Sequence, residues 1–362
     1  MSFARGAAVA LAIALTALCP GARAAEPLAL EAKIPLGQIS GRIDRLVYES
    51  KRGRLIAAEL GNNSVAIIDL DQRTLVHRIA GLNTPQGVAY LAATDVIYVA
   101  SAGDGTVRRF KAGDFTEAAR TNLGDDADRI RVDPATSEVV VGYGAGGLAV
   151  LNEVAAQRGG AAGQSQSRTG GGFPSRSKPG TTAQAKRERS MPGIGLPVHP
   201  EGFQLDTKRR RIFVNLPDLD EVGVIDRASG KIAASWRAPG LSANFPMAFD
   251  EAGNRVLVVY RRPPWLVVFD ADGGSIVGAA DVCRDPDDVF VDAKRRRIYV
   301  TCGEGVVDVL QQDGSDYRLI GRIASAPGAR TGLYVAERDR LYAAAPATET
   351  AAAAILVFKP VP

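Results

Sequence analysis

Short apolar runs rich in Val, Ile and Ala alternate with polar turns along most of the chain. The stretch DAKRRRIYVTCGEGVVDVL, at residues 292–310, holds a basic turn, a β-branched run, a Gly-rich turn and a further apolar run. The same order, preceded by another short apolar run, recurs in copies that start near residues 43, 85, 127, 200, 245, 286 and 330. A weaker apolar run follows most copies. Each copy therefore predicts four strands joined by tight turns.

The copies recur at a nearly constant distance along the chain. The first apolar position of each copy is Leu46, Val88, Ile130, Phe203, Ala248, Val289 and Leu333. The steps between them are 42, 42, 73, 45, 41 and 44 residues. Four strands in about 42 residues is the period of a β-propeller blade, so the sequence predicts an all-β, seven-bladed β-propeller over residues 25–362. The seventh copy ends after three strands, so residues 28–37 are predicted to supply its outer strand and close the ring.

Two segments do not follow the repeat. Residues 1–24 combine Arg5, an apolar run at 7–18 and a small-x-small site ending at Ala24, which predicts a cleaved signal peptide. We therefore expect a periplasmic or secreted monomer without a membrane span. Residues 155–190 are rich in Gly, Ser, Gln, Arg and Pro and show no apolar period. This composition predicts a disordered insert between the third and fourth strands of the third blade.

Charge is unevenly distributed along the chain. Of the formal net charge of +4, the leader contributes +2 and the insert +6, which leaves −4 for the rest. A mildly acidic body argues against a nucleic-acid surface on the folded part. KRRR at 208–211 and again at 294–297 falls in the turn between the first and second strands. These turns are either solvated or form a basic rim that, with the insert, binds nucleic acid or an anionic envelope polymer.

The second strand of two copies carries a family signature. RIFVN at 211–215 and RIYVT at 297–301 resemble the repeat of YVTN-repeat, YncE-like propellers. The resemblance covers essentially the whole mature chain except the insert. It implies an exported bacterial propeller, and we predict that this one acts as a binding or scaffold protein. The wider superfamily also holds lactonases, and some relatives are reported to bind DNA.

The residues just before each first strand are predicted to meet at the mouth of the central channel, because the links between blades share one face. Two places before the apolar markers stand Asp44, Gln86, Asp128, Glu201, Pro246, Asp287 and Thr331. The next places include Arg45, Arg129 and Asp288, and Arg330 lies beside them. The predicted ligand-binding residues are Asp44, Arg45, Gln86, Asp128, Arg129, Glu201, Asp287, Asp288 and Arg330.

This polar ring suits more than one role. Carboxylates mixed with arginines favour a small polar molecule or a peptide as the ligand of a protein that is not an enzyme. Asp128, Glu201 and Asp287 are also a candidate Ca²⁺ set, because hard cations take several oxygen ligands. A metal-dependent, lactonase-like hydrolase would use such an ion to polarise a carbonyl. Alternatively, each acid caps backbone N–H groups or pairs with a neighbouring arginine and only stabilises the channel.

The histidine and cysteine residues do not indicate a particular catalytic mechanism. His199 and Glu201 form a pair suited to acid–base work or to a structural role. The sequence has no nucleophile motif, Cys–His zinc spacing or phosphate-binding Gly loop, so no catalytic residue is assigned. After removal of the leader, Cys283 and Cys302 remain. They lie at two strand ends that return to the same face, which predicts a disulfide, with free thiols or a metal pair as alternatives.

Overall fold

The chain forms a ring of seven four-stranded antiparallel sheets, which confirms the predicted seven-bladed β-propeller. The computed structural model describes residues 26–152 and 193–362. The predicted signal peptide at 1–24 and the predicted disordered insert at 155–190 lie outside the described residues. None of the helices in the described ranges has the length and apolarity needed to cross a bilayer.

Each blade has four strands, which follow one another from the channel to the outer edge of the ring. The innermost strands are β2 (Leu46–Glu49), β6 (Pro85–Leu91), β10 (Ile130–Asp133), β14 (Phe203–Asp206), β18 (Ser242–Asp250), β22 (Pro286–Asp292) and β26 (Gly332–Val335). The second strands are β3 (Arg54–Glu59), β7 (Val96–Ser101), β11 (Glu138–Tyr143), β15 (Arg211–Leu216), β19 (Arg255–Arg262), β23 (Arg297–Cys302) and β27 (Arg340–Ala345). The third strands are β4 (Ser64–Asp69), β8 (Thr106–Lys111), β12 (Gly147–Asn152), β16 (Glu221–Asp226), β20 (Pro264–Asp270), β24 (Val306–Asp313) and β28 (Ala354–Pro360). The outer strands are β5 (Thr74–Ile79), β9 (Glu117–Asn122), β13 (Ile194–Gly195), β17 (Lys231–Arg237), β21 (Ile276–Asp281), β25 (Asp316–Ala324) and β1 (Leu28–Pro35).

Closure of the ring joins the two ends of the described chain. The strand order of the seventh blade is β1-β28-β27-β26, so β1 is its outer strand, as predicted. The pairing is antiparallel, with Leu28 opposite Pro360 and Pro35 opposite Ala354. The innermost strands contact one another all the way round, from β2 and β6 to β26 and β2. The ring is therefore closed both at the channel and through β1.

Seven apolar clusters fill the seven spaces between adjacent blades. Along β3, Leu55 and Ala57 face the seventh blade, whereas Ile56 and Ala58 face the second blade. All four side chains are completely buried. Alternate residues of one strand thus fill two different cores, which explains why the second and third runs of each copy are continuously apolar.

The turn between the first and second strands has the same backbone form in every blade. The residue just before each second strand has a positive φ between 52° and 67°, and these residues are Gly53, Asp95, Ser137, Arg210, Asn254, Arg296 and Asp339. One left-handed residue lets a short turn reverse the chain, at a conformational cost for residues other than Gly and Asn. The third residue of each KRRR run occupies this position.

An arginine that opens the second strand links several blades to the next one. Its guanidinium donates to a carbonyl oxygen just after the third strand of the following blade. The pairs are Arg54 with Ala112 (3.4 Å), Arg211 with Ala271 (2.9 Å), Arg255 with Gly314 (2.7 Å) and Arg297 with Val361. Hydrogen bonds from a charged donor are stronger than neutral ones. The last residue of each KRRR run therefore has a structural role.

Cys283 and Cys302 form a disulfide in the sixth blade, with their Cα atoms 5.9 Å apart. Cys283 follows the outer strand of the fifth blade, and Cys302 ends β23. Both residues are buried. The backbone N–H of Cys283 also donates to the buried carboxylate of Asp308 at 2.8 Å. The link into the sixth blade is therefore held at the same face as the channel mouth.

We expect the closing strand to stabilise the whole ring through Leu28. Leu28 is fully buried in the cluster between the sixth and seventh blades, whereas Leu30 on the same strand is 47% exposed. Leu28→Ala should lower the free energy of unfolding by about 2–5 kcal/mol, because it leaves a cavity. Leu30→Ala is the matched control and should change it by less than about 1 kcal/mol. Urea unfolding of both variants measures the difference, and equal effects would contradict the closure.

We expect reduction of the disulfide to lower the free energy of unfolding by about 3 kcal/mol, because the bridge closes a loop of 19 residues in the unfolded chain. Urea unfolding with and without dithiothreitol measures this loss. A double variant, Cys283→Ser with Cys302→Ser, should be insensitive to the reductant. Detection of two free thiols in the denatured, unreduced mature chain would refute the disulfide.

Candidate functional site

Charged side chains from several blades meet at the mouth of the channel, as the sequence pattern predicted. Arg45, in the link before β2, donates to Asp288 Oδ1 at 2.8 Å and to the Asp287 carbonyl oxygen at 3.1 Å. Its guanidinium also lies 3.4 Å from Asp44 Oδ1. The other carboxylate oxygen of Asp288 accepts the backbone N–H of Gly332 at 3.0 Å. One aspartate of the sixth blade thus contacts both the first and the seventh blade.

Asp287 is surrounded by arginines. Its carboxylate forms an ion pair with Arg261 and lies 3.6 Å from Arg45 and 3.8 Å from Arg330. Burial alone would raise the pKa of this carboxyl, but Arg45, Arg261, Arg129 and Arg330 together hold it below its usual value. Asp287 is therefore a charged, structurally paired group. The role as a Ca²⁺ ligand that the sequence suggested for it requires breaking these pairs.

Asp44 and Gln86 both contact the guanidinium of Arg42. Arg42 donates to the carboxylate of Asp44 and lies 3.4 Å from the side-chain oxygen of Gln86. Asp44 is fully buried, and its backbone N–H donates to the carbonyl of Ala58 at 2.7 Å. Both predicted residues are therefore at the mouth, where they stabilise the link before the first blade.

Asp128 differs from the other aspartates of the mouth because it forms no ion pair with any arginine in the described ranges. It is 5% exposed, and its Oδ1 has no hydrogen-bond partner among the described residues. Burial, together with the neighbouring carboxylates of Glu201 and Asp44, raises the pKa of Asp128 above its usual value. A buried carboxylate left without a partner is costly, so this position points to an additional group.

His199 and Glu201 lie next to Asp128. One ligand atom from each of the three side chains lies within 4.8 Å of the other two. The Nδ1 of His199 is 2.6 Å from the carbonyl oxygen of Gly144, so this nitrogen donates and the lone pair is on Nε2. The sequence predicted Asp128 and Glu201 as neighbours, and in the structure His199 rather than Asp287 is the third member of this group.

Arg129 lies in the channel just below the mouth. It is only 2% exposed, and its Nε and Nη2 have no hydrogen-bond partner among the described residues. Its nearest ion pair is with Asp288, at 3.9 Å. Together with Arg45, Arg131 and Asp288 it lines a cavity of about 60 Å³. Burial, and after it the charges of Arg129 and Arg45, lowers the pKa of Arg131 to about 10. The cavity lining thus carries three arginines and one aspartate.

Three residues of the mouth were missed by the sequence pattern, namely Arg42, Arg131 and Asp285. Arg42 precedes the slots that the repeat defines, and Arg131 lies on β10 at the position after the apolar marker. Asp285, with φ of 55°, accepts from Arg330 at 3.1 Å. A repeat alignment finds positions shared by all blades, and these three side chains have no counterpart of the same type in most copies.

The basic turns lie at the opposite ends of the first strands, and six of the eight basic residues of the two KRRR runs form ion pairs. The ion pairs are Lys208–Glu251, Arg209–Asp272, Arg211–Asp206, Lys294–Asp339, Arg295–Asp339 and Arg296–Asp313. Several of these pairs join adjacent blades. The carboxylates offset the positive charge that a nucleic-acid contact would need, so the turns are a poorer candidate than the mouth.

An open groove of about 900 Å³ runs between the outer strands of the fifth and sixth blades. Trp265, Ile276 and Leu319 are partly exposed along it. Its charged residues, such as Asp313 and Arg318, lie on the exposed surface. Buried, converging charges are a better sign of a functional site than volume alone, and within the described residues the mouth has them.

Comparison with known proteins supports the fold alone. No protein-family profile matches the chain, and a search of curated proteins finds no match. A chain of Kuenenia stuttgartiensis hydrazine synthase superposes with a TM-score of 0.68 at 15% identity, over 88% of this chain and 94% of that chain. A chain from a crystal structure of a mitotic checkpoint complex superposes with a TM-score of 0.71 at 10% identity, over 99% of both chains. These similarities show a propeller shared by unrelated functions.

We expect Asp287→Asn to lower the free energy of unfolding by about 3 kcal/mol, because it leaves buried guanidinium groups without their counter-charge. Urea unfolding at neutral pH measures this loss. Asp285→Asn is the matched control, since Asp285 is half-exposed and Asn tolerates its positive φ. It should change the free energy of unfolding by less than about 1 kcal/mol.

The stabilisation that Asp287 provides should depend on pH in a defined direction. Because the folded-state pKa of Asp287 is lowered, its contribution is present above the unfolded-state pKa and is lost as pH falls towards the folded-state pKa. The difference between wild type and Asp287→Asn should therefore shrink below about pH 4. A difference that persists unchanged in acid would contradict the assigned ion pairs.

Proposed function

We propose that the protein is an exported, YncE-like propeller that binds a small polar molecule through an anionic group held in the channel mouth. The propeller fold is consistent with a binding or scaffold role. Export rests on the leader sequence and is supported by the disulfide between Cys283 and Cys302, since such bonds persist in oxidising compartments. The family rests on the two signature strands.

The observation that carries this proposal is the buried guanidinium of Arg129, which has one long ion pair with Asp288, at 3.9 Å. A guanidinium removed from water needs partners for its N–H groups, and those of Arg129 find none among the described residues on two of its three nitrogens. A carboxylate fits the planar guanidinium, because its two oxygens accept two parallel N–H hydrogen bonds. The lining of three arginines and one aspartate also favours an anion over a cation in this cavity.

The cavity limits what enters it. A volume of about 60 Å³ accommodates one small anionic group and not a whole metabolite. The remainder of the ligand would lie at the mouth, where Arg330 and Glu201 are partly exposed and offer both signs of charge. This arrangement fits a carboxylate-bearing molecule with further polar groups, such as a small acid or the end of a short peptide.

A thermal-shift and calorimetric series with acetate, succinate, citrate, glutamate and inorganic phosphate at fixed ionic strength tests this proposal. We expect at least one carboxylate to stabilise the wild-type protein, by about 2.7 kcal/mol when its concentration is 100 times its Kd. Arg129→Gln should lower the affinity at least about tenfold, which is the loss of one charged hydrogen-bonding partner.

Arg284→Gln is the control for loss of a positive charge near the mouth. Its side chain is 82% exposed and forms an ion pair with Glu304, outside the cavity lining, so this variant should bind as the wild type does. The proposal fails if none of the five anions stabilises the wild type. It also fails if Arg129→Gln binds them as tightly as Arg284→Gln.

A further inference from the structure

Two links between blades bring the donor atoms of Asp128, His199 and Glu201 together. Asp128 lies two residues before β10, and Glu201 lies two residues before β14. His199 belongs to the same link as Glu201, so its ring reaches the same side of the mouth. The backbone fixes both links, because Asp128 N–H donates to Gly142 at 2.9 Å and Glu201 N–H donates to Asn215 at 3.0 Å.

The spacing of the three side chains suits a small cation. One oxygen of Asp128, one oxygen of Glu201 and one ring nitrogen of His199 all lie within 4.8 Å of one another. Ligand atoms that bind one ion at 2.0–2.2 Å stand about 3–4 Å apart. The side chains of His199 and Glu201 are partly exposed and therefore free to adjust towards that spacing around the buried Asp128.

A second observation points to a ligand at the same place. Oδ1 of the almost fully buried Asp128 has no hydrogen-bond partner among the described residues. Asp44, Asp287 and Asp288, the other buried carboxylates of the mouth, each form an ion pair with an arginine. The unpaired carboxylate is thus the one that lies beside a histidine and a glutamate.

The hydrogen bond of His199 prepares its other nitrogen for a metal. Its Nδ1 donates to the Gly144 carbonyl oxygen at 2.6 Å, and Asp126 lies 3.6 Å away on the same side. Metal-binding histidines typically donate their second N–H to a carbonyl or a carboxylate, which orients the ring and fixes the tautomer. The nitrogen left with a free lone pair is Nε2.

The donor set selects a class of metal. Ca²⁺ takes six to eight oxygen ligands, whereas this group offers two carboxylates and one imidazole. An imidazole with carboxylates suits divalent first-row transition metals such as Zn²⁺, and three protein ligands leave a coordination position open. We propose that Asp128, His199 and Glu201 form a site for such a metal at the channel mouth, with the open position towards solvent.

The site shares no residue with the lining of the anion cavity around Arg129, so each can be tested with its own variants. The mature chain is stripped with EDTA, and Zn²⁺ is titrated by calorimetry, with Ca²⁺ and Mn²⁺ for comparison. We expect one Zn²⁺ per chain and weaker binding of Ca²⁺. Co²⁺ added to the stripped protein should give a visible absorption band that Zn²⁺ removes.

The chain offers a matched control, since His77 is its only other histidine. His77 lies on β5 and stacks on Phe115 with 4.4 Å between ring centroids, away from the mouth. We expect His199→Gln and Asp128→Asn to lower Zn²⁺ affinity at least about tenfold, and His77→Gln to leave it unchanged. Circular dichroism and urea unfolding check that each variant is folded.

The outcomes separate this inference from the proposed function. It is overturned if the stripped wild type binds no stoichiometric Zn²⁺, if His199→Gln binds as tightly as His77→Gln, or if Ca²⁺ binds more tightly than Zn²⁺. Binding of the anion panel by His199→Gln is measured in parallel. Retained anion binding with lost Zn²⁺ binding supports two separate sites, whereas loss of both ligands contradicts their independence.

Discussion

Burial of both faces of every blade is the constraint on which the rest of the molecule depends. Neighbouring residues of β3 such as Leu55 and Ile56 enter different clusters, one on each side of the sheet. No blade can satisfy this alone, so the sheets stack until the last one meets the first. The outer position of the seventh blade is then filled by β1. Four alternating strands return the chain to the face from which it started, so the links between blades lie at one face. Closure of the ring then brings the charges of these links into contact across more than 200 residues of sequence.

Most of the charge at this face stabilises the ring. Arg45 and Asp288 join the first and sixth blades, and Arg261 with Asp287 holds the link between the fifth and sixth. Arg129 and Asp128 differ from these groups. Within the part of the chain that the structure describes, two nitrogens of Arg129 have no hydrogen-bond partner, and Oδ1 of Asp128 has none while its carboxylate forms no ion pair with an arginine. They are adjacent in sequence and opposite in charge, yet neither pairs with the other. One offers donors to an anion and the other offers an oxygen to a cation, which makes the mouth suited to two kinds of ligand.

The sequence predicts the architecture well because the fold is repeated. A period of about 42 residues gives the blade number, and the short seventh copy predicts the closing strand. The sequence predicts only part of the candidate site. The positions before the apolar markers predict that Asp128 and Glu201 lie together. The neighbouring sequence does not show that arginines pair with Asp287, or that His199 lies beside Asp128 and Glu201. Those partners come from other blades, and pairing across the ring depends on side-chain reach. The structural roles of the KRRR runs could not be predicted from the sequence either. Arg296 has a left-handed backbone conformation in its turn, and Arg297 donates a hydrogen bond to a carbonyl oxygen of the next blade.

A double-mutant cycle on Arg45 and Asp288 tests most directly whether ring closure assembles this mouth. The two residues are 243 positions apart in sequence, and their side chains are 2.8 Å apart in the structure. Unfolding free energies of wild type, Arg45→Met, Asp288→Asn and the double variant give their coupling. We predict a coupling energy of about 1–3 kcal/mol, as found for residues in one ion-pair network. Additive effects within about 0.5 kcal/mol would contradict the contact, and with it the convergence of the links at one mouth.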